Sequence, residues 1–181
     1  MKLTGISGSV VGEKTSQAVH DVLMTAKRLD PSLEIELIDL KEYDVEMVRG
    51  FPLAGYNQDT WDVVNKITTA DALVIGSPIY QASISGVLKN LFDHLPVNAF
   101  KAKVTAMVTT GGVEKHFLVS EYQLKPILSY LKGMVPTYSV FVHNDDFNDD
   151  NEITNPIVNE RISKLSEEIL QLHNALQHKK G

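Results

Sequence analysis

Three short stretches carry residue types suited to holding a charged ligand. The first is Ile6 to Ser16, I-S-G-S-V-V-G-E-K-T-S. An apolar run, Leu3 to Ile6, stops in a loop of small residues, and a helical pattern begins at about Ser16. A strand that ends in a small-residue turn and feeds a helix brings free N–H groups and the positive end of the helix dipole together, which is an anion site. Gly8 and Gly12 let backbone approach closely, Ser7, Ser9, Thr15 and Ser16 offer hydroxyls, and Lys14 adds a point charge. The same residues also read as an ordinary βα turn with polar filler. Two familiar phosphate loops are excluded. The G-x-x-x-x-G-K-[ST] pattern fails because Glu13 separates Gly12 from Lys14 and position 7 is Ser. G-x-G-x-x-G fails because the glycines fall at 5, 8 and 12.

The other two stretches follow later apolar runs. Ala72 to Ile75 ends in Gly76-Ser77-Pro78, and Val104 to Val108 ends in Thr109-Thr110-Gly111-Gly112. Both runs are apolar on both faces, as central parallel strands are.

The elements between them alternate. Ala18, Val19, Val22, Leu23, Ala26 and Leu29 have helical spacing, ended by Asp30-Pro31. Leu33 to Leu40 alternates apolar and charged, which places it near a sheet edge. Lys41 to Tyr56 has no period and reads as a long excursion after a strand end. A helix runs from Asp59, as cap, to about Thr69. Ile79 to Leu95 holds a loop and a helix, and Leu118 to Leu131 is helical despite Pro126. Val135 to Val142 is the last strand. Asn155 caps a final helix with Pro156 at its first position and an apolar stripe at Ile162, Leu165, Ile169, Leu172 and Leu176. The closing Lys-Lys-Gly reads as a frayed tail.

Five strands alternating with five helices predict an α/β, doubly wound five-stranded parallel sheet. The order 2-1-3-4-5 is expected, in a single domain over 1–181. Ligands of such sheets lie at the carboxyl ends of strands one, three and four. The three Gly-, Ser- and Thr-rich loops are those ends.

Composition narrows the chemistry. A net charge of −6 argues against nucleic acid or an anionic membrane as partner. With no cysteine, there is no disulfide, thiolate metal site or cysteine nucleophile. No apolar run reaches the ~18 residues of a membrane span, and the N-terminus goes directly into a strand without a signal-peptide pattern, so the cytoplasm is the expected location.

The stretch Ser77 to Asp93, S-P-I-Y-Q-A-S-I-S-G-V-L-K-N-L-F-D, closely resembles the S-P-x-Y-x-x-S-x-x-G-x-L-K-N-x-x-D signature of the NAD(P)H-dependent FMN reductase family. The opening loop also resembles that family's phosphate loop, with Lys14 where an arginine is frequent. Gly111-Gly112 through His116-Phe117-Leu118 to Tyr122-Gln123-Leu124-Lys125-Pro126 is similar to a narrower branch, the FMN reductases that supply sulfonate monooxygenases. The likeness covers most of Lys2 to Val142 and is weakest at 41–58 and over the C-terminal helix.

The resemblance implies a flavodoxin-like fold with FMN as cofactor and NADPH or NADH as cosubstrate. It implies phosphate contacts from Ser9, Lys14, Thr15 and Ser16. The isoalloxazine lies along Pro78, Ile79 and Tyr80 with Ser83 and Gly86 nearby, and Thr110, Gly111 and Gly112 reach its polar edge. It further implies a homodimer or homotetramer, with Lys89 and Asp93 either between subunits or an i, i+4 surface pair; the helix of the narrower branch that contains the position of Tyr122 can carry a π-type bulge at the subunit interface, which the sequence leaves open here. No side chain is expected to be catalytic, because hydride transfer between stacked rings needs positioning more than acid–base groups. The electrons then pass to a quinone, azo compound, metal ion or partner monooxygenase.

Rival readings are a flavodoxin-type electron carrier, whose T-x-T-G-x-T loop the first loop does not match, and a P-loop nucleotide hydrolase, opposed by the failed lysine pattern. Tyr80 is otherwise a sheet-end core aromatic, Lys14 a solvated residue, and His116 either a structural histidine or a substrate contact. The acidic stretch Asp145 to Glu152 reads as a solvated loop rather than a calcium site, since it lacks the glycine and terminal glutamate of the EF-hand register.

Overall fold

The computed structural model describes residues 1–178; the Lys-Lys-Gly tail expected to fray lies outside the described residues. Five parallel strands, β1 (Lys2–Ser7), β2 (Glu34–Asp39), β3 (Ala72–Tyr80), β5 (Val104–Gly111) and β6 (Val140–His143), are ordered β2-β1-β3-β5-β6. The expected order therefore holds for the parallel strands. The strand count is six rather than five, because β4 (Ser83–Ile84) turns back antiparallel onto the end of β3.

Helices cover both faces. On one side α1 (Lys14–Leu29) and α6 (Pro156–His178) enclose a core that includes Leu3, Val19, Leu23, Val74, Val108 and Leu165. On the other, α2 (Gln58–Thr69), α3 (Gly86–His94) and the segment 117–130 enclose Ile6, Ile67, Leu73, Leu88, Phe100 and Leu128. The apolar spacings of α1 and α6 are what bury these faces: Ala18, Val19, Val22, Leu23 and Ala26 are buried on α1, and Ile162, Leu165 and Ile169 on α6. Edge strand β2 keeps one wetter face, where Glu36 pairs with Lys2 and Lys66, each at 2.9 Å.

Several boundaries move for identifiable reasons. Asn57, not Asp59, caps α2 by accepting from the Thr60 N–H; Asp59 instead accepts from the Asp44 N–H. The last strand begins at Val140 rather than Val135, because the N–H groups of Thr137 and Tyr138 donate to the Glu168 carboxylate of α6, outside the ladder. β3 runs through Gly76-Ser77-Pro78 to Tyr80, paired with β5 as far as Pro78–Thr110, so residues expected in loops sit on strand ends. The helix expected over 118–131 is interrupted. After a 3-10 turn (Glu114–His116), α4 (Phe117–Val119) passes into a π turn (Ser120–Leu124) and then α5 (Lys125–Tyr130). In the π turn the Lys125 N–H reaches back five residues to the Ser120 carbonyl.

β1, α1 and β3 meet where Gly76 faces α1. A Cβ there would lie 2.3 Å from Val19 Cγ2 and 3.1 Å from Thr15 Cγ2. Gly76→Ala is expected to push α1 off the sheet and destabilise the fold by about 1–3 kcal/mol, read as a lower urea midpoint at unchanged slope. An unchanged midpoint would show that α1 is not seated on this strand.

Candidate functional site

The carboxyl ends of β1, β3, β5 and β6 converge on a cleft of about 520 Å³. Its first wall is the loop 8–13. Gly8 sits against β3, its N–H donating to the Gly76 carbonyl at 2.8 Å, and a side chain at Gly8 would meet that same oxygen. Ser85 fastens the loop from the far side: its Oγ donates to the Gly8 carbonyl at 2.5 Å and accepts the Leu88 N–H as cap of α3. Gly12 turns the chain at φ +70° into α1.

α1 begins at Lys14, two residues earlier than expected, so Lys14, Thr15 and Ser16 form its first turn. Glu13 makes no side-chain cap, and the first turn holds no acidic residue. The Glu13 carboxylate is drawn away to Lys41 at 2.6 Å. By contrast, Asn57 and Ser85 cap α2 and α3. The cleft therefore opens on a helix N-terminus whose N–H groups no side chain among the described residues satisfies, the arrangement that attracts a phosphate.

Nine of the twelve residues singled out in the sequence line this cleft. Ser9 lies on its first wall, its Oγ donating to the Val11 carbonyl at 2.7 Å and standing 3.5 Å from the Tyr80 hydroxyl. Thr15 and Thr110, both buried, share a 2.8 Å hydroxyl–hydroxyl bond that joins α1 to β5 across the floor. Lys14 reaches over the end of the cleft, where Nζ donates to the Asn144 carbonyl at 3.0 Å and lies 5.2 Å from the centre of the Phe147 ring. Pro78, Ile79 and Tyr80 form the second wall, with Tyr80 45% exposed and its ring available to a ligand. Gly111 and Gly112 form the third. A Cβ at Gly111 would lie 2.9 Å from His116 Nδ1, and one at Gly112 would lie 3.0 Å from Asn144 Nδ2.

Three of the twelve are placed elsewhere. Ser16 is on the first turn of α1 but outside the lining. Ser83 donates to Gln123, and Gly86 opens α3 with free space around it. Gly12, expected to let backbone approach closely, also lines the cleft, and Val11, Glu13, Asn144 and Asn151 line it without having been singled out. Asn144 and Asn151 come from the loop after β6. The rule that ligands sit at strand carboxyl ends points to that loop as well, but its acidic composition suggested only solvent. Two of its carboxylates are engaged locally: Asp146 accepts from the His143 N–H and from Asn155, and Glu152 accepts from Asn148. Among the described residues no group of His, Asp or Glu could hold a metal ion.

The site residues fit an FMN-sized anion. The hydroxyls and the uncapped N-terminus suit a phosphate, and bare backbone at Gly111-Gly112 suits the polar edge of a planar ring. His116 Nδ1 is buried beside Gly111 without a hydrogen-bond partner among the described residues, a further polar atom facing this wall. Titratable groups shifted by burial, Asp21 upward and Lys103 downward, lie outside the lining. The arrangement can hold and orient a ligand.

Comparison with known proteins agrees. The family model described as "NADPH-dependent FMN reductase" matches residues 1–147. A Geobacillus thermodenitrificans protein named "NAD(P)H-dependent FAD/FMN reductase" is 46% identical over 177 residues, covering 98% of this chain and 96% of its own length. An "FMN reductase (NADPH)" of Pseudomonas aeruginosa is 29% identical over 159 residues, covering 86% and 84%. The apo crystal structure of "NADH:FMN oxidoreductase (EMOB)" superposes with a TM-score of 0.75 at 25% identity, covering 92% of this chain and 88% of that one. With its loops, sheet order and sequence in agreement over this span, the chain belongs to the NADPH-dependent FMN reductase family.

Proposed function

We propose that the cleft binds FMN and that the chain reduces it with NADPH or NADH, as one FMN-binding domain. The observation that carries this reading is the uncapped N-terminus of α1 facing a cleft whose opposite wall is the bare backbone of Gly111 and Gly112. The phosphate is held by the first-turn N–H groups of α1 with Ser9 and Thr15, and Lys14 closes the end of the cleft. Pro78, Ile79 and Tyr80 support one side of the ring system, while the N–H groups at Gly111 and Gly112 face its polar edge.

Bound FMN supplies a ring that accepts a hydride. The protein's part is to hold that ring so that a nicotinamide can lie on it with reacting atoms about 3–3.5 Å apart. Fixed N–H dipoles at the glycine wall favour negative charge as the ring is reduced. No side chain needs to exchange a proton for this step. Ser16 contributes through its place in the first turn of α1, while Ser83 and Gly86, drawn into the site by resemblance, act through the hairpin and the start of α3.

The electrons then go to a quinone, azo compound, metal ion or partner monooxygenase. A second copy of the chain is expected on the groove between α3 and α5, which Phe92, Leu95, Val97, Ile127 and Tyr130 line, giving a homodimer or homotetramer. Lys89 and Asp93 border the same groove and bond to each other at 2.6 Å along α3. No helix among the described residues is long and apolar enough to cross a membrane; the cytoplasm remains the proposed location.

The direct test is the visible spectrum, followed by NADPH or NADH in air with and without added FMN. Flavin bands that bleach, with steady nicotinamide oxidation, are the expected result; well-folded protein that neither binds FMN nor oxidises either nicotinamide would sink this reading. Ser9→Ala with Thr15→Ala is expected to weaken FMN binding by about 100-fold or more, since two hydrogen bonds to a charged group at roughly 1.5 kcal/mol each are lost. Fluorescence titration measures this, and unchanged affinity would place the phosphate elsewhere. Tyr80→Ala is expected to lower reductase turnover while the melting temperature stays near wild type. Wild-type rates would remove Tyr80 from the site.

A further inference from the structure

The second wall of the cleft ends in a turn that its own sequence does not favour. β3 and β4 form a hairpin in which Ile79 pairs with Ile84 and Tyr80 with Ser83, joined by Gln81 and Ala82. Both joining residues have positive φ, +49° and +58°. A two-residue connection with positive φ at both positions is the type I′ geometry, which Asn and Gly adopt readily and Gln and Ala do not. Strain of this kind persists only where the surroundings hold it.

One side chain from another element does so. Gln123 Nε2 donates to the Ala82 carbonyl at 2.8 Å, and the Ser83 hydroxyl donates to Gln123 Oε1 at 2.7 Å. The two partners fix the amide's orientation, because a carbonyl must meet the nitrogen and the donating hydroxyl the oxygen. Gln123 belongs to the π turn Ser120–Leu124, where Leu124 is buried beneath and Tyr122 is 76% exposed. A π turn admits one more residue than an α turn and so changes which side chains face each neighbour. Here it sets Leu124 into the core while Gln123 meets the hairpin.

We propose that Gln123 is a positioning residue: its amide clamps the strained Tyr80–Ser83 hairpin and so fixes the wall on which a flavin ring lies. The effect on flavin rests on the proposed function above; the clamp itself does not. Without the two hydrogen bonds the turn relaxes away from positive φ and Tyr80 loses its fixed place, while the N-terminus of α1 is untouched.

The test combines Gln123→Ala with a turn that needs no clamp, Gln81→Asn with Ala82→Gly. In protein without flavin, Gln123→Ala is expected to speed amide hydrogen exchange at residues 79–84 by about tenfold, as loss of a hydrogen bond of ordinary strength does, with the rest of β3 unchanged. Adding Gln81→Asn and Ala82→Gly is expected to restore slow exchange. FMN affinity is expected to fall by about tenfold in Gln123→Ala and to recover in the triple variant. Unchanged exchange in Gln123→Ala, or an affinity loss that the new turn does not repair, would overturn the clamp. Failure of the wild-type protein to bind FMN would sink the flavin reading, and the exchange data would then decide the clamp by themselves.

Discussion

The close contact between Gly8 and Gly76 governs the site. At this point the loop after β1 and the strand β3 touch backbone to backbone, with a 2.8 Å hydrogen bond that a side chain on Gly8 would block. On the other face of Gly76, Val19 and Thr15 of α1 occupy the space a Cβ would need. Two glycines therefore let a strand, a loop and a helix N-terminus pack within one side chain's width of each other. Ser85 completes the joint by bonding the Gly8 carbonyl while it caps α3. The helix that presents free N–H groups and the strand that presents Tyr80 are thus held by one shared seat, and neither can shift without the other.

That rigidity is what the proposed chemistry asks of the protein. Ring-to-ring hydride transfer depends on distance and alignment, and a wall displaced by an ångström would lose much of the rate. The cleft accordingly draws its linings from the ends of four strands instead of a single mobile loop, and the Thr15–Thr110 bond crosses between them. The β3–β4 hairpin, where the second wall leaves the main sheet, is tied back from a different part of the chain.

The features legible in the sequence are those that follow from local periodicity. Ala18 to Ala26 reveals α1, the apolar runs at 72–75 and 104–108 reveal central strands, and the alternation of elements leads to the parallel order. Long-range partners decided the rest. Val135 to Val142 reads as a strand apart from Pro136, which has no N–H for a ladder, and Glu168, far along the chain, takes the N–H groups of Thr137 and Tyr138. Gln81 and Ala82 carry no turn chemistry, so the hairpin could not be seen without Gln123. Asn144 enters the cleft because β6 lies beside β5, as the expected order has it, but the acidic composition of the loop after β6 concealed this. The π turn is a matter of one hydrogen bond shifted by one residue, and Pro126, which has no N–H to continue an α ladder, marks its neighbourhood without specifying it.

Residues carried over by resemblance divide along a physical line. Ser9, Thr15, Tyr80 and the Gly111-Gly112 pair are placed by the sheet itself, at strand ends or the first helical turn, and they line the cleft. Ser83 lies on the returning strand of the hairpin and Gly86 just beyond it, where the chain has already turned away from the cleft; one is bonded to Gln123 and the other faces open space. A motif that is continuous in sequence therefore serves two purposes. Its first part meets the ligand. Its second part makes the hairpin and the start of α3, and its spacing is set by the need to return Ser85 to Gly8, 77 positions earlier in the chain.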